Sequence, residues 1–271
     1  MKKNKLPVRF TGQHFTIDNI LIQQTIQLAQ IHRKDIVLDI GAGKGFLTAP
    51  LALKCQKVIA IEYDQFLVKK LKAKFAKYNR VCVIENDFRY FPRMKMPFKV
   101  VSNIPYRITA YILKYLMYEH IEFFKGGTLI MQLEPARKLI SKSVFNPYII
   151  FYRTFFNLTF IQQVLPESFI PPPTVQSALL KIEEQKCIIH FSMKKKYLAF
   201  LFLMLKRPDI SIKTTLKQVF RKRQAREVCR KHRIEENLIV TKITARQWVC
   251  CFLEMMDKVP KRYHPKIEKD K

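Results

Sequence analysis

Asn103-Ile104-Pro105-Tyr106 follows an apolar run that includes Val100 and Val101, and its residue types suit alkylation of a poorly nucleophilic amine. The exocyclic amine of adenine delocalises its lone pair into the ring. A carboxamide oxygen at Asn103 and the backbone carbonyl of Ile104 can each accept one of its N–H bonds, which favours a pyramidal nitrogen. The Tyr106 ring can stack on a base drawn out of its helix. The same residues also read as a strand-ending turn, so their chemistry depends on what else reaches them.

A second motif supplies that context. Asp39-Ile40-Gly41-Ala42-Gly43-Lys44-Gly45 follows a β-prone run and opens a helix. A dinucleotide fingerprint would place its third glycine at 46, where this chain has Phe46. The loop admits close backbone approach but is not built for a pyrophosphate. S-adenosylmethionine, a nucleoside joined to an amino acid without phosphate, fits it. Glu62 ends the next strand, 21 residues beyond Gly41, where a carboxylate can accept ribose hydroxyls. Asp87, just past the third strand, can accept from the cofactor's adenine amine. Taken singly, each acid reads as a helix cap. Four strand ends bringing Gly, Glu, Asp and Asn to one crevice read as a binding site.

The elements that must position them follow from periodicity. Ile36–Ile40, Lys57–Ile61, Val81–Glu85, Lys99–Ser102 and Thr128–Leu133 read as buried strands. Asp18–Ile31 and Asp64–Lys77 have helical spacing between them. The alternation predicts an α/β fold with a parallel, Rossmann-like sheet. Phe155–Leu165 and Val175–Ile182, separated by Pro171-Pro172-Pro173, read as an antiparallel pair closing the sheet edge. Beyond about residue 184 strand signals fade. Helices are predicted over Lys195–Leu205, Ile212–Lys231 and Ala245–Val259, the last burying Trp248, Cys251, Phe252, Met255 and Val259. The predicted domains are therefore 1–184, catalytic and cofactor-binding, and 185–271, basic and helical.

Charge points to the partner. The chain has 50 Lys+Arg against 21 Asp+Glu, a formal +29. From Lys186 onward there are 23 Lys+Arg and 8 Asp+Glu, so about half the excess lies in the last third. Such an excess fits a polyanion, and Arg221-Lys222-Arg223, Arg226 and Arg230-Lys231 are placed for phosphate contact. No run has the length of a membrane span, and the basic start, Met1 to Arg9, has no apolar stretch of a secretory signal. The six cysteines form no spaced framework, which fits reduced thiols in the cytoplasm. Cys187-x-x-His190 and Cys229-x-x-His232 lack the second half of a zinc site, and no metal is expected. No cysteine follows a proline, which disfavours thiolate attack on a cytosine ring.

In combination these motifs resemble the Erm family of ribosomal RNA adenine N6-methyltransferases, associated with macrolide, lincosamide and streptogramin B resistance. The likeness runs through Gly12-Gln13-His14-Phe15, the Asp39–Gly45 loop, Glu62, Asp87-Phe88 and Asn103–Tyr106. It continues through Gln132-Leu133-Glu134-Pro135 and Pro166-Glu167-Ser168-Phe169, with Pro171–Val175 and Ser177-Ala178-Leu179 beyond. The resemblance implies a class I methyltransferase sheet of seven strands with a small helical C-terminal domain. It implies that His14, Thr16, Gly41, Glu62, Asp87 and Asn103 line the cofactor pocket, the segment before the first helix closing over the methionine end. It implies a target adenine in the peptidyl-transferase loop of 23S ribosomal RNA, protein-free or before assembly, and places Phe169 on the face of the base opposite Tyr106. One departure is Arg107-Ile108-Thr109-Ala110-Tyr111, where relatives usually carry small polar residues and an acid; Tyr111 reads as a helix-packing aromatic or as a residue shaping the target pocket.

The expected reaction is an in-line methyl transfer in which Asn103 and the Ile104 carbonyl hold the amine, Tyr106 and, by the resemblance, Phe169 pack the two faces of the base, and positioning supplies most of the acceleration. It needs no general base before attack, since the proton leaves after nitrogen becomes cationic. Tyr106→Phe is expected to keep most activity. Two rivals stand beside this reading. One is the housekeeping 16S adenine dimethyltransferase, whose relatives usually read Asn-Leu-Pro-Tyr where this chain has Ile104. The other is a non-catalytic RNA-binding protein on a methyltransferase fold, which would have lost an acid or the asparagine. A monomer is the default expectation.

Overall fold

The computed structural model describes residues 14–266. Gly12 and Gln13 of the first motif therefore lie outside the described residues. The chain runs β1 (Phe15–Thr16), α1 (Asn19–Leu28), β2 (Ile36–Ile40), α2 (Thr48–Ala52), β3 (Lys57–Glu62), α3 (Gln65–Lys74), β4 (Val81–Glu85) and β5 (Phe98–Asn103). It continues with α4 (Thr109–Lys114), β6 (Phe124–Gln132), α5 (Leu133–Ile140), α6 (Pro147–Phe155), β7 (Phe156–Val164), β8 (Phe169–Ile170) and β9 (Ser177–Glu184). Helices α7 (Lys194–Met204), α8 (Ile212–Leu216), α9 (Lys222–Lys231) and α10 (Ala245–Lys258) complete it.

Seven strands form one sheet in the order β4-β3-β2-β5-β6-β9-β7, while β1 and β8 make a separate antiparallel pair. β2 is parallel to β3 and to β5, and β3 is parallel to β4. Sequence order moves outward from β2 through β3 to β4, then reverses to β5 on the other flank of β2. Such a reversal leaves a crevice beyond the carboxyl ends of the strands. Gly41 follows β2 there and Asn103 ends β5.

Local sequence explains the elements that frame this crevice. Asp18 caps α1, accepting from the N–H of Ile20 at 2.9 Å and Leu21 at 3.1 Å. Asp64 caps α3 through the N–H of Leu67 at 3.0 Å. β2 reads Ile-Val-Leu-Asp-Ile and is buried along nearly its whole length, as a strand covered on both faces must be. Its Val37 packs with Ile22, Ile26, Leu47, Leu51 and Val58.

The described chain divides into two compact units. The first holds the residues up to Thr109 with Gly127–Leu133 and Phe160–Lys181; the second holds Ala110–Gly126, Glu134–Thr159 and the residues from Ile182 onward. In the second, Trp248, Phe200, Phe252 and Tyr197 are fully buried, and the Thr154 hydroxyl lies 2.9 Å from that of Tyr197. The stripe expected on α10 is core: Trp248, Cys251, Phe252, Met255 and Val259 are all buried.

Two expectations change. The helix predicted over 212–231 is broken into α8 and α9, because Phe220 turns into the core and Arg221 takes extended backbone, its N–H donating to Gln224 Oε1 at 3.0 Å. Residues 147–155, not predicted as a helix, form α6. Its signal was Asn146-Pro147: the Asn146 side chain accepts from the Tyr148 N–H at 2.9 Å, and proline fits a first helical position. Among the described residues no helix is long and apolar enough to cross a membrane.

Candidate active site

The glycine loop leaves β2 with positive φ at Gly41 (74°), Gly43 (57°) and Gly45 (73°). A Cβ on Gly41 would stand 2.9 Å from Pro105 Cγ, and one on Gly43 would stand 2.7 Å from Phe15 Cδ1. The loop is therefore pressed against the tetrapeptide on one side and β1 on the other, with room only for glycine.

Glu62, at the end of β3, ties the loop down. Its Oε2 accepts from the Gly43 N–H at 2.8 Å, and its Oε1 accepts from Tyr63 and Asp64 at 2.8 and 3.0 Å. Beneath it Asp39 is 1% exposed and accepts from the Thr48 hydroxyl at 2.6 Å. Burial pushes Asp39 up to about 7, the Glu62 charge adding to the rise and the Thr48 hydroxyl opposing it. Asp87 follows β4 and is gripped by Arg89, whose Nε donates to both carboxylate oxygens at 3.1 and 3.0 Å. That pairing holds the Asp87 carboxyl below the usual carboxylate range.

Asn103 and Tyr106 face the same space. Asn103 Nδ2 donates to the His14 carbonyl at 2.7 Å, which fixes the carboxamide and leaves Oδ1 buried without a partner among the described residues. Thr16 Oγ1 and Asn86 Oδ1 are unpartnered in the same way. The Ile104 N–H donates to the Ile130 carbonyl at 3.0 Å. Tyr106 and His14 have ring centroids 6.2 Å apart.

One cavity of about 500 Å³ is walled by His14, Gly41, Gly43, Glu62, Asp87, Asn103, Ile104 and Tyr106, with Asn86, Arg89 and Arg107 among its other walls. A small void of about 30 Å³ reaches Thr16, Asp39 and Lys44 and shares His14, Gly41 and Asn103 with it. Eight of the nine residues singled out from the sequence thus line these two spaces. The ninth, Phe169, does not: it is 1% exposed in an apolar cluster with Leu21, Ile130, Val164 and Leu179. Its backbone pairs with Thr16 across the β1–β8 ladder, and this register turns the ring into the core. Tyr111 is half-buried on α4 and is not among the cavity walls.

Sequence reasoning did not find Arg89 or Asn86. Their only signal is adjacency to Asp87, and nothing in composition says that an arginine two residues on folds back onto an acid.

Comparison with known proteins places this geometry. The profile described as "Ribosomal RNA adenine dimethylase" matches residues 4–257. The chain belongs to the ribosomal RNA adenine dimethylase family. An "rRNA adenine N-6-methyltransferase" of Bacteroides fragilis is 51% identical over 98% of this chain and all of its own length. A protein of the same name from Bacillus licheniformis is 34% identical over 97% of this chain and 92% of its own. A "Ribosomal RNA small subunit methyltransferase A" of Clostridium botulinum is 31% identical over 66% of this chain and 69% of its own. Among solved structures, that of the 23S rRNA methyltransferase ErmE superposes with a TM-score of 0.78 at 23% identity, covering 89% of this chain and 99% of that one. That likeness bears on the fold: the α/β sheet expected from the alternation of strands and helices is the class I methyltransferase sheet that the resemblance implied.

Proposed function

We propose that the chain transfers methyl groups from S-adenosylmethionine to N6 of an adenine in the peptidyl-transferase loop of 23S ribosomal RNA, and thereby gives macrolide-lincosamide-streptogramin B resistance. Its chemistry is that of its family: it is an rRNA adenine N6-methyltransferase. The observation that carries the site assignment is Asn103, whose amide nitrogen is committed to His14 and whose oxygen is buried, without a partner among the described residues, in the wall of the shared cavity. A buried acceptor without a partner costs about 1–3 kcal/mol, a cost offset when a donor arrives.

The residues fit the cofactor. The cavity has the size of a nucleoside-plus-amino-acid site. Glu62, held in place by three backbone N–H groups, retains lone pairs for ribose hydroxyls, and Asp87 is an ionised acceptor for an adenine amine. His14, Thr16 and Gly41 complete the methionine end. When bound, S-adenosylmethionine supplies a methyl group made electrophilic by a sulfonium.

The protein's part is orientation. Asn103 Oδ1 and the Ile104 carbonyl accept the two N–H bonds of the target amine and turn its lone pair toward the donor. Tyr106 covers one face of the extruded base, whose unstacking costs a few kcal/mol. Phe169 is assigned to the other face; as folded here its ring must turn out of its apolar cluster to reach it. The proton leaves the methylated nitrogen to water.

The second unit supplies backbone contacts to the RNA. On α9 the buried side is Ala225, Val228 and Cys229, while Arg221, Lys222, Arg226 and Arg230 are exposed. Arg223 is paired with Glu227 at 3.0 Å and Lys231 with Glu254 at 2.5 Å, whereas among the described residues the former four stand in no ion pair and are offered to phosphates. Near-complete coverage by relatives named for rRNA adenine N6 methylation supports this reading over the small-subunit enzyme, whose relative aligns with a smaller share of the chain. Retention of Glu62, Asp87 and Asn103 in one cavity weighs against a binding-only protein.

Labelled S-adenosylmethionine offered with protein-free 23S RNA, protein-free 16S RNA and assembled subunits tests it. Label on one adenine of the peptidyl-transferase loop in free 23S RNA supports the proposal; label confined to 16S RNA, or none, overturns it.

A further inference from the structure

The Tyr106 ring is anchored by a residue outside the tetrapeptide. Tyr106 Oη and Ser177 Oγ lie 2.5 Å apart. Ser177 opens β9 and has no exposed surface, and the residues after it, Ala178, Leu179 and Leu180, are equally buried. A hydroxyl on such an apolar strand costs free energy unless it is hydrogen-bonded, and Tyr106 is the partner it has.

Tyr106 is held at its other end as well. The Thr109 hydroxyl donates to the Tyr106 carbonyl at 2.9 Å, and Pro105 is braced against Gly41. These contacts fix where the side chain starts. The Ser177 contact fixes where it ends, and so sets the tilt of the ring about a torsion that is otherwise soft. Burial raises the Tyr106 phenol further above neutrality, the Ser177 hydrogen bond opposing the rise, so the group remains a neutral hydroxyl able to hold this bond.

We infer that Ser177 is a positioning residue for methyl transfer: through its hydrogen bond to the Tyr106 hydroxyl it holds the ring in the plane on which the target base stacks. The inference rests on the reading that Tyr106 covers a face of the adenine. It also revises the expectation for Tyr106→Phe, which preserves stacking area but releases the ring. A neutral hydrogen bond is worth about 0.5–1.5 kcal/mol, or roughly 2- to 13-fold in rate if it is used wholly for orientation.

The experiment compares full-length wild type, Ser177→Ala, Tyr106→Phe and the double variant. It measures single-turnover transfer at saturating cofactor, cofactor affinity and thermal midpoint, using whichever RNA the wild type labels. Each single variant should lower the transfer rate constant roughly 2- to 13-fold with cofactor affinity unchanged. The double variant should be no slower than the slower single, because both changes remove one contact. Ser177→Ala at the wild-type rate overturns the inference, as do rate losses that multiply in the double variant or losses that follow only the thermal midpoint. Wild-type transfer to 16S RNA alone would overturn the 23S reading while leaving the Ser177 comparison intact on that RNA. A wild type that labels no RNA overturns both.

Discussion

Glu62→Gln removes one charge and exchanges one acceptor for a donor at the centre of the cofactor crevice. Three backbone N–H groups converge on this carboxylate, two on Oε1 and one on Oε2. Glutamine's best compromise keeps its oxygen on Tyr63 and Asp64 and turns its NH₂ against the Gly43 N–H. That leaves a buried donor unpaired, at about 1–3 kcal/mol. The two surviving bonds lose charge assistance and are weakened by about half. The sum is roughly 3 kcal/mol, which in a chain of this size lowers the melting temperature by about 6–12 °C. Gly43 sits on the loop that faces the ligand, so affinity should fall too. Losing one acceptor for a ribose hydroxyl costs about 2 kcal/mol, roughly thirtyfold in Kd. Calorimetric melting without cofactor and titration with S-adenosylmethionine measure the two effects separately. A variant that melts with the wild type and binds within about threefold of it would refute both the tethering of the loop and the role of Glu62 in binding.

Two other outcomes follow from charges elsewhere. Asp39 has a folded pKa of about 7 against the ordinary 3.8. Between these values the native state keeps a proton that the unfolded chain has released, so Asp39 makes stability fall as pH rises through that window, by up to about 1.4 kcal/mol per pH unit, with no further loss above it. Asp39→Asn should erase this slope; urea unfolding of both proteins from about pH 5 to about pH 8 checks it, and a constant difference between them would contradict the burial argument. Arg226→Ala with Arg230→Ala should weaken RNA binding without changing cofactor affinity and make log Kd less salt-dependent by roughly 1–2 in slope, since each phosphate contact contributes a little under 1; an unchanged slope would remove α9 from the RNA surface.

The sheet was legible because β2, β3 and β5 are largely buried and read as apolar runs, with β4 a half-buried edge strand of the same β-prone type, and because Gly41, Glu62, Asp87 and Asn103 fall at or just past strand ends. The βαβ pattern gave parallel pairing but not the reversal of strand order that gathers those ends in one place, since it does not say on which flank of β2 the strand β5 is laid. What the sequence hid was register and reach. The resemblance put Phe169 against a base, whereas in this fold its backbone pairs with Thr16 and its ring lies in an apolar cluster. The Arg89 grip on Asp87 and the Ser177 tether on Tyr106 are side-chain contacts, and the latter joins residues 71 apart. The break between α8 and α9 depends on Phe220 entering the core, which helical periodicity alone does not separate from a continuing turn.

The central claim is that one side-chain oxygen, at Asn103, orients the adenine amine for methyl transfer. Single-turnover transfer by Asn103→Ala on RNA spanning the 23S peptidyl-transferase loop, at cofactor concentrations that saturate the variant, tests it most directly. Loss of a preorganised hydrogen-bonding group at the reacting centre costs about a hundred- to a thousandfold, and a rate lowered by that factor is predicted. A variant that methylates the same adenine within about threefold of the wild-type rate would contradict the account.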